Sequence, residues 1–254
     1  MMPPKIFSRA ARRRVQGRML RYPPKDRWII KRMAQDILER LDAVRVPFRQ
    51  ALVIGGDLTE LSAALADRGI PTIAAGPGLA SASTVGSVAC DEDRLPFANK
   101  SFDLIIAIGT LDTVSDLPGA LTLIRRTLAD GGLFLGTMMG AGSLPFFRAC
   151  VQGFDDGQPT VARFHPQIDV RGAGDLLARA NFFLPVAESE LICARYRAFD
   201  RLIADLRANG LSNCLSGRNP LTRSDVARIS AQFVEPVVER FAIVTLTGWA
   251  QPAG

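Results

Sequence analysis

Residue types that carry common enzyme chemistry are scarce in this chain. His165 is the only histidine among 254 residues, so a serine or cysteine triad would have to use it, and a histidine-based metal cluster is excluded. No G-x-S-x-G segment is present. The four cysteines are too widely spaced for a C-x-x-C site or a disulfide framework: Cys90, Cys150, Cys193 and Cys214. We therefore expect packing cysteines, a reducing compartment and no metal, and no catalytic residue can be assigned.

Acidic residues are nearly absent from the first 32 residues. This stretch has 11 Lys or Arg and one Asp, a net charge of +10, so the remaining 20 basic and 24 acidic residues leave −4 for the rest of the chain. Such an arm is typical of a solvated or partner-docking helix face, a mitochondrial transit peptide, an anionic-lipid contact or a nucleic-acid arm. Few aromatic residues accompany the charges, which makes nucleic acid the weakest alternative. We expect a protein partner to bind through this arm, with no nucleic acid.

Long hydrophobic runs are also missing, since no apolar stretch approaches the roughly 20 residues of a membrane helix. With 48% hydrophobic and 7% aromatic residues, the composition indicates one soluble α/β domain with appendages. We expect no transmembrane segment, and a cytoplasmic location in a bacterium or the mitochondrial matrix in a eukaryote. The sequence does not determine the oligomeric state.

The clearest local pattern is a strand, a helix and a second strand. Leu104–Ile108 is an unbroken apolar run, as expected of a parallel strand covered on both faces. A helix should follow, with apolar residues at helical spacing: Leu117, Leu121, Ile124 and Leu128. Gly131 and Gly132 are predicted to end this helix, and Leu133–Met139 returns as a strand. The three elements form a right-handed crossover unit of an α/β sheet.

A similar unit opens the core. Ala51–Ile54 is predicted to be a strand, Gly55 and Gly56 a tight turn, and Leu58 the start of a helix. In nucleotide-binding units of this kind the glycines let the backbone approach the ligand, while the helix N-terminus offers free amides to a carboxylate or phosphate. A glycine pair alone is a weak sign, because it also suits a sharp turn.

Seven segments between residues 7 and 250 share the pattern of one known family. They are Phe7–Arg14, Arg94–Phe97 with Ser101–Asp103, Asp116–Leu121, Asp130–Phe134, His165–Arg171, Asp205–Arg207 with Asn213, and Leu246–Ala250. Together they resemble the S-adenosylmethionine (SAM) methyltransferase-like family of the mitochondrial complex I assembly factor that hydroxylates an arginine, with its proteobacterial relatives. More distantly they resemble the malonyl-acyl-carrier-protein methyltransferases of biotin synthesis.

The resemblance implies a Rossmann-like class I SAM methyltransferase fold. This is an α/β fold with a mostly parallel seven-stranded sheet and a last antiparallel strand. We expect a basic arm and N-terminal helix over residues 1–45, a core over 46–197, a helical insert over 198–237, and the final strand over 238–254. The arm, the insert and the loop at residues 165–171 would form a lid over the strand ends, although ordinary core helices and a surface loop would give the same pattern.

The chain departs from the family where the cofactor should bind. Relatives carry an acid and then G-x-G-x-G after the first strand, and an acid after the second. The corresponding positions here are Val53, Gly55, Asp57 and Thr59, then Ala75 or Gly76. Losing a carboxylate partner of the ribose costs about 1.5–3 kcal/mol, and an Asp57 carboxylate beside the methionine carboxylate costs about 1–4 kcal/mol more. Asp57 could instead cap the following helix.

The acid after the third strand still matches the family, as Asp91 with Glu92 beside it. If SAM binds, the resemblance places it on Gly55, Gly56, Asp91 and Glu92. We predict a degenerate cofactor loop and an assembly or maturation factor for a respiratory complex I subunit. An active SAM-dependent methyltransferase or arginine-hydroxylase-like enzyme stays open, because the second half of the pattern is complete. A nucleic-acid-binding protein would need the arm to act alone.

Overall fold

A seven-stranded sheet lies at the centre of the computed structural model, which describes residues 5–55, 59–77, 86–153 and 163–252. The strands are β1 (Ala51–Gly55), β2 (Thr72–Gly76), β3 (Ser87–Ala89), β4 (Phe102–Ile108), β5 (Leu128–Met139), β6 (Phe183–Tyr196) and β7 (Val237–Trp249). Their order is β3-β2-β1-β4-β5-β7-β6. The first five strands pair in parallel, and β7 runs antiparallel between β5 and β6. This arrangement confirms the predicted fold class.

Helices cover both faces of the sheet. The described helices are α1 (Arg9–Met19), α2 (Trp28–Ala43), α3 (Thr59–Asp67), α4 (Leu117–Thr127), α5 (Pro145–Gln152), α6 (Val170–Arg179), α7 (Phe199–Ala208) and α8 (Arg223–Ala231). None of them is long and apolar enough to span a bilayer.

The central strands are buried on both faces because alternate side chains enter two separate cores. Val53 and Ile106 pack in a core with helices α2, α3, α5, α7 and α8, whereas Leu52 and Ile105 pack with α4 and α6. All four side chains have zero exposure. Two-sided burial explains why these strands are continuous apolar runs with no polar alternation.

One predicted boundary is wrong. Helix α4 ends at Thr127, and Gly131 and Gly132 lie inside β5 instead of terminating the helix. The cause is strand pairing, because Leu128 has extended backbone angles and pairs with Phe102 of β4. Gly131 has a φ of +71° near an irregularity in the β4–β5 register, so the left-handed conformation that requires glycine occurs within the strand.

Candidate functional site

The carboxyl ends of β1 and β2 meet at the edge where open α/β sheets bind ligands. Gly55 and Gly76 end these strands with φ angles of 156° and 158°, which residues with a side chain rarely adopt. A β-carbon on Gly76 would lie 2.8 Å from the carbonyl oxygen of Gly55. Ala75 is fully buried in the core. A carboxylate at position 76 would therefore be strained, and one at position 75 would enter the core.

The structure describes three of the four residues predicted to bind the cofactor. Gly55 lies at the end of β1, and Asp91 and Glu92 follow β3 at the same edge of the sheet. The predictions for Gly56 and Asp57 fall outside the described residues.

Asp91 is bound by arginines from helix α1 of the same chain. Arg9 Nη1 lies 2.6 Å from Asp91 Oδ2, Arg13 Nη2 lies 3.2 Å from the same oxygen, and Arg12 Nη1 lies 3.4 Å from Asp91 Oδ1. Arg9 also reaches Asp93 at 2.6 Å. Asp91 is only 4% exposed. The carboxylate predicted to read adenosine thus has intramolecular cationic partners on both oxygens.

Arg12 is the buried centre of this cluster. Its Nη2 donates to Glu92 Oε2 at 2.7 Å, and its Nε donates to Thr113 Oγ1 at 3.1 Å. Arg12 is 4% exposed and Glu92 is 0% exposed. Burial alone would lower the pKa of Arg12, but attraction from Glu92 and Asp91 raises it overall, so the guanidinium stays charged. Arg12 therefore joins α1 to the segments after β3 and β4.

The residues just before α1 fix the helix to two further loops. Phe7 N–H donates to Ser115 Oγ at 3.0 Å, and the Phe7 ring packs edge-on against His165 at 5.1 Å. Ser8 N–H donates to the carbonyl of Cys214 at 2.9 Å. The arm, the loop that carries His165 and the insert thus contact one another at this point.

His165 is a neutral, hydrogen-bonded loop residue. Its Nε2 accepts the N–H of Cys214 at 3.0 Å and lies 3.5 Å from the Cys214 sulfur. Burial, with help from Arg148 and Arg12, lowers the pKa of His165 to about 4. Burial also raises the pKa of the Cys214 thiol to about 12. A protonated thiol beside an occupied imidazole nitrogen does not form a nucleophile–base pair at neutral pH.

A cavity of about 380 Å³ opens beside this junction. Its walls come from α1, the end of β5, α5, the 163–167 loop, α7 and the 211–221 loop. Five arginines line it: Arg18, Arg148, Arg163, Arg207 and Arg218. Asp112 is the one carboxylate among its lining residues in the described part of the chain. This volume is in the range of small-molecule sites.

Asp112 and Arg148 are cavity residues that sequence reasoning missed. Asp112 follows β4, where a polar residue at the end of a central strand could have drawn attention. Burial raises the pKa of Asp112 to about 6, and its Oδ1 is buried with no hydrogen-bond partner among the described residues. Arg148 lies on α5 in an apolar stretch, and nothing in the local sequence indicates a site there.

Comparison with known proteins agrees with this fold. A family model described as a methyltransferase domain matches residues 43–136. The mitochondrial arginine-hydroxylase NDUFAF5 of Homo sapiens is 34% identical over 149 residues, covering 57% of this chain and 43% of that protein. The malonyl-[acyl-carrier protein] O-methyltransferase 1 of Coxiella burnetii is 29% identical over 192 residues, covering 74% of this chain and 66% of that protein. The chain spans about half the length of the NDUFAF5 proteins it matches.

Solved structures show the same architecture. A putative methyltransferase from Bacillus halodurans has a TM-score of 0.56 at 14% identity, covering 86% of this chain and 98% of that one. A SAM-dependent methyltransferase from Thermotoga maritima, a possible histamine N-methyltransferase, has a TM-score of 0.52 at 17% identity, covering 94% and 99% of the two chains. These likenesses concern the fold. With the sequence matches, they confirm the resemblance predicted from the motifs.

Proposed function

We propose that this chain, whose residues 43–136 match a methyltransferase domain, is an assembly or maturation factor for a protein subunit of respiratory complex I. In this proposal the fold is chiefly a docking scaffold, and SAM binds weakly or not at all. The similarity to mitochondrial arginine-hydroxylases supports the class of function. The observation that carries the scaffold role is the occupation of Asp91 by Arg9, Arg12 and Arg13.

The described residues fit SAM poorly. The strand β2 ends at Ala75 and Gly76, so no carboxylate is available there for the ribose hydroxyls. Asp91 could accept from adenosine only in competition with three guanidinium groups of its own chain. A hydrogen bond to a charged group is worth about 1.5–3 kcal/mol, so losing one of them weakens binding by about one to two orders of magnitude.

The outer side of α1 and the turn that follows it offer a cationic docking surface. Arg14, Arg18 and Arg21 are exposed, and no carboxylate of the described residues lies within 4.0 Å of their charged groups. Arg13 is 56% exposed although it reaches Asp91. An acidic surface on a partner protein would complement these charges and would bind in a salt-sensitive manner.

A second candidate is an active SAM-dependent enzyme. The cavity favours it, because a 380 Å³ space lies at the carboxyl ends of β4 and β5, beside the predicted cofactor edge. Asp112 opens into that space with a raised pKa, which suits a group that exchanges protons near neutral pH.

Deletion of the gene in its native organism tests the maturation role. We expect less assembled complex I on native gels and less membrane NADH:quinone activity, both restored by the wild-type chain. Assembled complex I at wild-type level in the deletion strain would overturn the proposal. A deletion strain carrying an unrelated methyltransferase gene is the control for expression load.

Calorimetric titration with SAM and S-adenosylhomocysteine separates the scaffold from the enzyme. We expect negligible binding by the wild-type chain and measurable binding by Arg9→Ala/Arg13→Ala, which frees one oxygen of Asp91 while Arg12 stays in place. Arg14→Ala/Arg21→Ala is the matched control, because it removes the same charge from the outer side of the arm. Micromolar binding by the wild-type chain would favour the enzyme.

A further inference from the structure

The cavity beside the lid is strongly cationic. Its five arginines face one carboxylate, that of Asp112. Arg163 is paired with Asp225 at 3.1 Å. Arg18, Arg148, Arg207 and Arg218 have no carboxylate of the described residues within 4.0 Å. Among the described residues, the cavity walls therefore carry more positive than negative charge.

Arg148 is held in place by three contacts. Its Nε donates to the Ser143 carbonyl at 3.1 Å, its Nη2 donates to the His165 carbonyl at 3.2 Å, and its guanidinium stacks on the Phe164 ring at 4.6 Å. Arg148 is partly buried, and this desolvation lowers the pKa of its guanidinium. A guanidinium with fixed orientation and little water is a ready partner for a carboxylate.

The rest of the wall is largely apolar. Met139, Phe147, Phe199 and Leu206 are buried side chains that also belong to the core beside the sheet. An occupant should therefore combine a short apolar body with an anionic end.

Arg18 connects the cavity to the outside of the arm. It is an exposed residue of α1, in line with Arg14 and Arg21, and it also lines the cavity. Arg207 and Arg218 also line the cavity and are exposed. The outer charge of α1 is thus continuous with the charge inside the cavity.

We propose that the cavity receives an acidic side chain, glutamate or aspartate, from a protein segment that lies along α1, and that Arg148 pairs with its carboxylate. This proposal rests on the proposed function, because it names the part of a protein partner that the site would hold. The charge of the cavity favours an acidic side chain. An arginine or lysine would be repelled, because the described lining residues include five arginines and one carboxylate. The neighbouring apolar residues of the segment would contact the Phe147 and Phe199 walls.

Peptide binding tests the proposal directly. The probe is a fluorescein-labelled nonapeptide, Asp-Asp-Gly-Leu-Glu-Leu-Gly-Asp-Asp, compared by fluorescence anisotropy with peptides that carry Gln or Arg at the centre. The flanking acidic residues are the same in the three peptides, so their binding to the arm should be equal. Any difference in affinity then reports how the central residue binds in the cavity. We expect the Glu peptide to bind at least about tenfold more tightly than the other two.

Variants of one arginine assign the effect to the cavity. Arg148→Met should abolish the preference for Glu, and Arg148→Lys should retain part of it. Arg126→Met is the matched control, because Arg126 is an exposed arginine on α4, on the other side of the sheet. If Arg148→Met does not fold, as judged by circular dichroism, Arg207→Met should reduce the preference about threefold, since its side chain is exposed and has no carboxylate within 4.0 Å among the described residues.

Two results would overturn the proposal: equal binding of the three peptides by the wild-type chain, or a Glu preference that survives Arg148→Met. Failure of the cavity and failure of the maturation role are distinguishable. A Glu preference that depends on Arg148, together with normal complex I in the deletion strain, would leave the cavity site standing and remove the complex I role. The reverse pattern would remove the cavity site alone.

Discussion

Removal of Arg12 should cost far more stability than removal of its exposed neighbour Arg13. Arg12→Met leaves Glu92, which is 0% exposed, without its closest cation at 2.7 Å, and it also removes the bond to Thr113. Breaking a buried pair from one side costs about 3–5 kcal/mol, because the remaining charge stays desolvated. Arg13 is 56% exposed, so Arg13→Met should cost less than about 1 kcal/mol.

Urea denaturation followed by tryptophan fluorescence measures both values, and Arg12→Met/Glu92→Leu completes the cycle. The double variant should recover most of the lost stability, because it removes the unpaired buried carboxylate together with its partner. Glu92 Oε1 has no hydrogen-bond partner among the described residues, so the pairing of Glu92 in the wild-type chain is already incomplete and little stability is lost when both partners are removed. Equal losses for Arg12→Met and Arg13→Met would refute the assignment of Arg12 as the buried anchor of the arm.

Two pH predictions follow from the lid and the cavity. The folded pKa of His165 is about 4 against roughly 6.5 unfolded, so the stability it confers is complete above pH 6.5 and is lost as pH falls toward 4, by roughly 3 kcal/mol. Because it is the only histidine, one imidazole resonance reports its titration by NMR, and a midpoint near 6.5 would contradict the buried geometry. The Asp112 carboxyl changes stability with pH in the opposite direction. Its pKa in the folded state is raised to about 6, so its ionisation lowers the free energy of unfolding as pH rises from about 4 to 6. Asp112→Asn should therefore be more stable than wild type by roughly 1–3 kcal/mol at pH 7.5, with a gap that shrinks toward pH 4 in urea denaturation; an equal gap at both pH values would exclude ionisation as the cause.

Local patterns were sufficient to predict the central strands, whereas the seven-stranded sheet was implied by the family resemblance. The apolar run at Leu104–Ile108 and the later run at Leu133–Met139 both became parallel neighbours, because a strand buried on two faces has no polar alternation. The end of α4 was missed because pairing of Leu128 with Phe102 outweighs the helical spacing of Leu128 with the preceding leucines. Gly131 and Gly132 therefore lie within β5. Pairing with a distant strand decides this, and a rule based on local sequence does not include such pairing.

The candidate site was predicted less completely, because its residues are far apart in the sequence. The family resemblance pointed to Asp91, but the partners that surround it are about 80 residues away in α1. The arm's charge was visible in the sequence, whereas its pairing with Asp91, Glu92 and Asp93 was not. The cavity combines Arg18, Asp112, Arg148 and Arg207, which share no motif and meet only because α1 and the insert cover the same strand ends.

Ion pairs between the arm and the acids after β3 reduce the positive charge that the arm can offer to a partner. Arg9, Arg12 and Arg13 are held by acids of the same chain, so among the described residues the unpaired outward charge of α1 and the turn after it depends on Arg14, Arg18 and Arg21. The salt dependence of partner binding should follow that smaller set, since buried pairs are screened much less than exposed charges.

Helix α1 also links the two ends of the site. Arg9 and Arg12 contact Asp91, one turn or two before Val15 and Arg18, which line the cavity. In Arg9→Ala/Arg13→Ala, a nucleoside bound to Asp91 would compete with Arg12, which lies on the same helix that an acidic segment contacts at Arg18. If one ligand shifts α1, the change in affinity for the other must be reciprocal, because coupling free energies are symmetric. Comparing peptide affinity with and without S-adenosylhomocysteine in Arg9→Ala/Arg13→Ala measures that coupling, and identical affinities would show that the helix stays fixed and the two ends act independently.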